Sequence, residues 1–143
     1  KREPTYGELM AQGRQSLSAR LYPQARDAFS QAAKLDSQKA DAYFYLALAT
    51  LQGKRPKLVN LATARAVEQM LQAAVSCDHA CSHAYLLWAL VKEDAYALNG
   101  IAQRAPTAKE LLAHARSVEI SKVIDITDHL QAPGNQIWEG IRR

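Results

Sequence analysis

Glycine and proline are scarce in this chain, at 6 and 5 of 143 residues, and cysteine is scarcer still, at 2. Two cysteines cannot make a disulfide framework. With few chain breakers and 48% hydrophobic residues, the composition suffices to bury one sizeable core but hardly two, so one domain is expected. No run approaches the roughly 18 apolar residues of a membrane span, and no apolar stretch follows a basic start as in a secretory signal. A cytoplasmic location is therefore expected, with no membrane partner. The opening Lys1-Arg2-Glu3-Pro4 carries no methionine, which points to a fragment of a larger protein. Catalytic signatures are missing too: there is no G-x-S-x-G, no P-loop and no H-E-x-x-H. His114 and His129 fall on separate predicted helices, and Asp125 with Asp128 reads as surface charge. The expectation is a protein that is not an enzyme and needs no cofactor.

Strand patterning is nearly absent, whereas apolar residues recur at three- and four-residue spacing and Ala and Leu dominate. The fold class is all-α. Helices are predicted over residues 5–19, 23–35, 39–51, 60–76, 80–99, 106–118 and 121–130. Thr107-Ala108-Lys109-Glu110 has the spacing of a capping box, in which the Thr hydroxyl and Glu carboxylate satisfy N–H groups of the first turn. Gly53 and Gly100 stand where a helix would stop in the left-handed conformation.

An internal repeat organises these helices. Leu9, Gln12-Gly13 and Ser16 fit the spacing W-x2-L-G-x2-Y, and Ala25, Phe29 and Ala32 continue it as A-x3-F-x2-A. A shift of 34 residues finds Tyr43, Leu46-Ala47 and Thr50, and a further 42 finds Tyr85, Trp88-Ala89 and Lys92. The second half-motif recurs as Val67, Leu71 and Ala74, so the excess length lies between Thr50 and Val67, at the loop Gln52-Gly53-Lys54-Arg55-Pro56-Lys57. Residues 1–99 thus resemble a degenerate tetratricopeptide-repeat (TPR) domain of about three repeats, with an insertion at about 52–60. The resemblance implies a right-handed superhelix of antiparallel helix pairs. Small residues at Gly13, Ala47 and Ala89, facing Ala25, Ala32 and Ala74, would let paired helices approach closely, and Phe29, Leu71, Tyr43, Tyr85 and Trp88 would fill the gaps. The second helix of the third repeat is degraded. Residues 100–131 are expected to supply capping helices over the open end, through Leu111, Leu112, Val118, Val123, Ile124, Ile126 and Leu130. A tail of residues 132–143 carries Ile137, Trp138 and Ile141, expected to pack on the cap or in the groove of this or a second copy.

The stretch Cys77-Asp78-His79-Ala80-Cys81-Ser82-His83 holds two thiols and two imidazoles. Read as a metal site it would use Cys77, His79, Cys81 and His83, but ligands at i and i+2 do not share a helix face, and zinc sites pair a C-x2-4-C with a distant second pair. The turn between two helices explains the stretch better, with Asp78 capping and a cysteine behaving as a small hydrophobe.

The TPR resemblance implies binding. In that family the first helices of successive repeats line a concave groove, here placing Met10, Arg14 and Leu17 from the first repeat and Phe44, Leu48 and Leu51 from the second. His83, Leu86 and Leu90 follow from the third. Family members that grip chaperone C-terminal carboxylates carry a Lys, Arg and Asn clamp; the matching sites hold Met10, Arg14, Tyr45, His83 and Leu87, so only Arg14 suits. The expected function is a protein-interaction scaffold or regulatory adaptor binding a helix or apolar peptide. The alternative is nucleic-acid or anionic-surface binding through Lys54, Arg55 and Lys57, with Arg65 nearby and Arg142-Arg143 as a second basic cluster; the formal charge is +4. No aromatic residue interleaves with the loop charges as base stacking requires, which disfavours nucleic acid.

Overall fold

A computed structural model describes residues 2–141; Lys1 and the basic pair Arg142 and Arg143 lie outside the described residues. The described residues form helices and turns with no strand. In chain order the helices are α1 (Tyr6–Ser18), α2 (Tyr22–Leu35), α3 (Ala40–Thr50), α4 (Leu61–Cys77), α5 (Ser82–Ala95), α6 (Ala108–Leu112), α7 (Ile120–His129) and α8 (Gln136–Ile141), with short 3-10 turns at Pro56–Leu58 and Ala97–Asn99.

Each of the first six helices packs on its neighbour in sequence: α1 on α2, α2 on α3, α3 on α4, α4 on α5 and α5 on α6. Small residues set the spacing. Gly13, Ala25, Ala32, Ala47, Ala74 and Ala89 are all buried. A methyl group on Gly13 would stand 2.5 Å from the ring of Phe29. That ring is fully buried and stacked on Tyr45, with centroids 5.4 Å apart, so α1 and α2 approach as closely as they do only because position 13 has no side chain. A polar seam ties α4 to α5, where Glu68 accepts from the Trp88 indole at 2.9 Å and the Tyr96 hydroxyl at 2.6 Å and pairs with Lys92 at 2.8 Å.

Helix ends follow local chemistry. Thr5 caps α1 in a complete capping box with Glu8, and Thr107 accepts from the Glu110 N–H at the start of α6. Asn60 accepts from Thr63 N–H and caps α4, while Pro56 opens the short 3-10 turn just before it. Gly53 and Gly100 both have left-handed backbone, with φ of 74° and 73°.

The C-terminal third departs from the expected arrangement. The helix anticipated over 106–118 stops at Leu112, because only Ala108 and Leu111 find a buried partner surface and the next residues, Leu112 to His114, are exposed. Of the side chains expected to cap the stack, Leu111, Ile126 and Leu130 are buried, whereas Leu112 and Ile124 face solvent. Helix α7 packs against α3 and α5, and α8 packs against α5 and α7. Trp138 is buried, its indole donating to the Leu130 carbonyl at 3.1 Å.

Candidate functional site

The face formed by α3 and α5, with α1 beside them, is where the sequence placed a groove. Phe44, Leu48, Leu51 and Leu90 are fully buried there, Met10, Leu17 and Leu86 nearly so, His83 is half-buried, and Arg14 is exposed. These side chains are therefore not an open lining. Helix α7 and the turn after it lie against the same face, with Ile126 and Leu130 buried and a set of polar contacts beside them.

Tyr45 is the hub. Its hydroxyl donates to Asp125 at 2.5 Å and accepts from Lys122 at 3.0 Å and Arg14 at 3.3 Å. The Lys122 ammonium also sits 4.7 Å from the centre of the Tyr45 ring, a cation–π distance, and reaches Asp41 at 3.3 Å. Burial raises the Tyr45 pKa, reinforced by its bond to Asp125, so the phenol keeps its proton. Burial works against the charge on Lys122, but Tyr45 and Asp41 outweigh it and its pKa is raised. At the other end of α7, Arg20 donates to the Asp128 carbonyl at 2.8 Å, and Arg20 and Tyr22 both meet the His129 ring at Nδ1, at 3.2 and 3.1 Å. The tail continues the contact: the Asn135 amide, fully buried, donates to the Leu90 carbonyl at 3.2 Å and to Asp94 at 3.3 Å.

Tyr45 stands at one of the clamp positions read from sequence, whereas Asp41, Lys122 and Asp125 were not singled out there as groove-lining. One signal was available for Asp41. The 42-residue shift read from the sequence maps Asp41, on α3, onto His83, on α5. Their side chains meet, with His83 Nε2 2.9 Å from Asp41 Oδ1.

The thiol and imidazole stretch divides in two. Cys77 ends α4 and its thiol donates to the Ser37 carbonyl at 3.2 Å; Asp78 accepts from Ala80 N–H, and His79 is exposed in the turn. Cys81, only 2% exposed, instead points to His83, with Sγ 3.3 Å from Nε2. Among the described residues Asp41, Cys81 and His83 bring one donor atom each to within 4.8 Å of one another. The set of four read from sequence is thus not assembled, and half of it finds a third donor on another helix. The bond from His83, aided by Lys122, holds the Asp41 carboxyl down at about 2, whereas burial pushes the Cys81 thiol up to about 11. A nucleophilic cysteine needs the opposite environment. The Cys81 sulfur lies 3.3 Å from His83 Nε2, which also meets Asp41, and 3.8 Å from Nδ1.

The insertion loop is anchored at its middle, by Arg55 and the buried Pro56, while Lys54 stays exposed. Arg55 makes two bonds to Asp94, at 2.7 and 3.2 Å, and Lys57 N–H donates to the same carboxylate at 2.6 Å. Asp94 is fully buried in α5, and Pro56 is buried beside it. A buried carboxylate requires such partners, so the loop supplies them and loses Arg55 as a free charge.

Searches against protein-family models, curated proteins and solved structures found no match to this chain.

Proposed function

We propose that this chain is a protein-interaction domain of the TPR-like kind, whose helix-binding face on α3 and α5 is held by its own α7 until a partner helix takes that place. The observation that carries the reading is the way α7 docks. Its buried stripe is Lys122, Ile126 and His129, while Ile120 and Ile124 are left 77% and 49% exposed. A helix docked for burial alone would turn its isoleucines inward, because burying each contributes about 2 kcal/mol. Here polar anchors decide the orientation, and such anchors are exchangeable for those of another helix. The apolar stripe left outside gives a partner a first contact with α7 itself. Binding through the basic loop has less support, since Arg55 is engaged by Asp94.

The test uses the chain's own tail as ligand. A protease site is placed between Arg116 and Ser117, in the exposed turn before α7. After cleavage the nicked protein should exchange its tail for a labelled synthetic peptide of residues 119–141, read by fluorescence anisotropy. The uncut protein should bind that peptide at least tenfold more weakly, and Tyr45→Phe in the nicked protein should weaken it. No exchange after cleavage would refute the proposal and make α7 a fixed part of the core.

A further inference from the structure

We infer that Asp41, Cys81 and His83 form a binding site for a zinc ion, with a fourth position open to water. His83 Nε2 lies 2.9 Å from Asp41 Oδ1 and 3.3 Å from Cys81 Sγ, and the same sulfur is 3.8 Å from Nδ1. A carboxylate oxygen, an imidazole nitrogen and a sulfur from three side chains thus stand within 4.8 Å of one another, and with the nitrogen and the sulfur deprotonated each atom offers a lone pair to one cation.

Distances support this. With Zn–O and Zn–N near 2.0 Å and Zn–S near 2.3 Å, ligand atoms of a tetrahedral site stand about 3.3 to 3.6 Å apart. The N···O edge, now 2.9 Å, would open by about 0.4 Å, and the S···N edge, now 3.3 Å, by about 0.3 Å. The remaining edge, at most 4.8 Å, would close toward about 3.6 Å, by up to about 1.2 Å. Adjustments of this size fall within side-chain rotation. One thiolate, one imidazole and one carboxylate make a mixed donor set of the kind zinc takes, whereas calcium and magnesium need oxygen alone. The site is reachable: the Asp41 side chain is 44% exposed and that of His83 16%, with Cys81 at the buried end.

Two features oppose the ion, the burial that keeps the Cys81 thiol protonated and the charge of Lys122. Its ammonium lies 3.3 Å from the other Asp41 oxygen, so zinc on Oδ1 would place two cations on one carboxylate. Zinc and Lys122 therefore oppose one another, and the coupling is reciprocal. The site itself depends on Asp41 in α3 and on Cys81 and His83 at the start of α5, and α7 bears on it through Lys122.

The experiment is zinc titration of the full chain at pH 7.5 against a chromophoric chelator, with cobalt as a spectroscopic substitute. One equivalent should bind, and the cobalt form should show a thiolate charge-transfer band. Cys81→Ser should abolish that band and weaken zinc at least tenfold, as should His83→Ala, while circular dichroism shows each variant folded. Cys77→Ser and His79→Ala should leave the affinity unchanged. Lys122→Met should tighten zinc by about tenfold, a gain that no structural damage would produce. Zinc binding weaker than roughly 100 µM in the unmodified chain, or unaltered in Cys81→Ser and His83→Ala, would overturn the inference.

Discussion

Replacing Asp94 by alanine tests whether the insertion loop is part of the fold. The carboxylate is fully buried and accepts from Arg55 at 2.7 and 3.2 Å, from Lys57 N–H at 2.6 Å and from the Asn135 amide at 3.3 Å. Truncation leaves a guanidinium, a backbone N–H and an amide donor facing a cavity. Breaking a buried ion pair from one side costs about 3 to 5 kcal/mol. Arg55 is 20% exposed and can recover some hydration, which places the expected loss near the lower limit, about 3 kcal/mol. For a chain of this length that is a fall in Tm of about 10 °C. Arg55→Ala should cost less, because Asp94 keeps the Lys57 and Asn135 donors. The two effects should be non-additive in the double variant by about 1 to 3 kcal/mol. Thermal and urea unfolding of the four proteins provides the measurement. A Tm loss under about 3 °C for Asp94→Ala would refute the reasoning and show the loop to be a dispensable surface segment.

Three further outcomes follow from other contacts. Gly13→Ala gains about 1 kcal/mol of helix propensity, but its methyl meets the Phe29 ring at 2.5 Å; overpacking costs about 1 to 3 kcal/mol, so urea unfolding should show a net loss and not the gain usual for such a change. Ile126→Ala removes the fully buried contact of α7 at a cost of about 2 to 5 kcal/mol, so trypsin should cut at Arg116 faster than in the unmodified chain while the helical circular dichroism of α1 to α5 persists. His129 has its pKa lowered, first by burial and then by Arg20, with Asp128 and Asp125 acting the other way. A base whose folded value lies below its unfolded value of about 6.5 contributes fully above that pH and loses stability as pH falls through the depressed value. Tm should therefore drop between pH 7 and pH 5, and His129→Gln should flatten that slope; an unchanged slope would show that the ring is solvated.

What could be read from sequence was what local signals encode. Periodicity and caps located α1 to α5 within a few residues, and α4, expected from residue 60, begins after its Asn60 cap with the 3-10 turn of Pro56 just before it. The capping box of Thr5 and Glu8 was equally local, Thr-x-x-Glu ahead of an apolar run, and went unread. The site was less legible because its bonds span the chain. Tyr45 to Asp125, Lys122 to Asp41 and Arg55 to Asp94 join residues with no shared motif, and a Lys or Asp destined for burial has the same sequence signature as one on the surface. Exposed charge was the natural reading of the 54–57 loop for that reason. Only a partner search across the repeat, position 41 against 83, would have found the third donor beside Cys81 and His83.

The docked α7 sets a quantitative condition on any partner. If the face is free for only a fraction of the time, the apparent dissociation constant rises by the inverse of that fraction. Three exchangeable polar contacts, at Tyr45, Asp41 and the Asp128 carbonyl, contribute about 0.5 to 1.5 kcal/mol each when intramolecular. Even 2 kcal/mol of net docking weakens a partner's apparent affinity by about thirtyfold. A partner that engages Ile120 and Ile124 while α7 is still docked escapes part of that penalty, because its contacts begin before the polar anchors break. On the proposed function the exposed isoleucines and the polar seam are two halves of one arrangement: the seam would keep the face closed, and the stripe would be the surface by which a partner helix begins to open it.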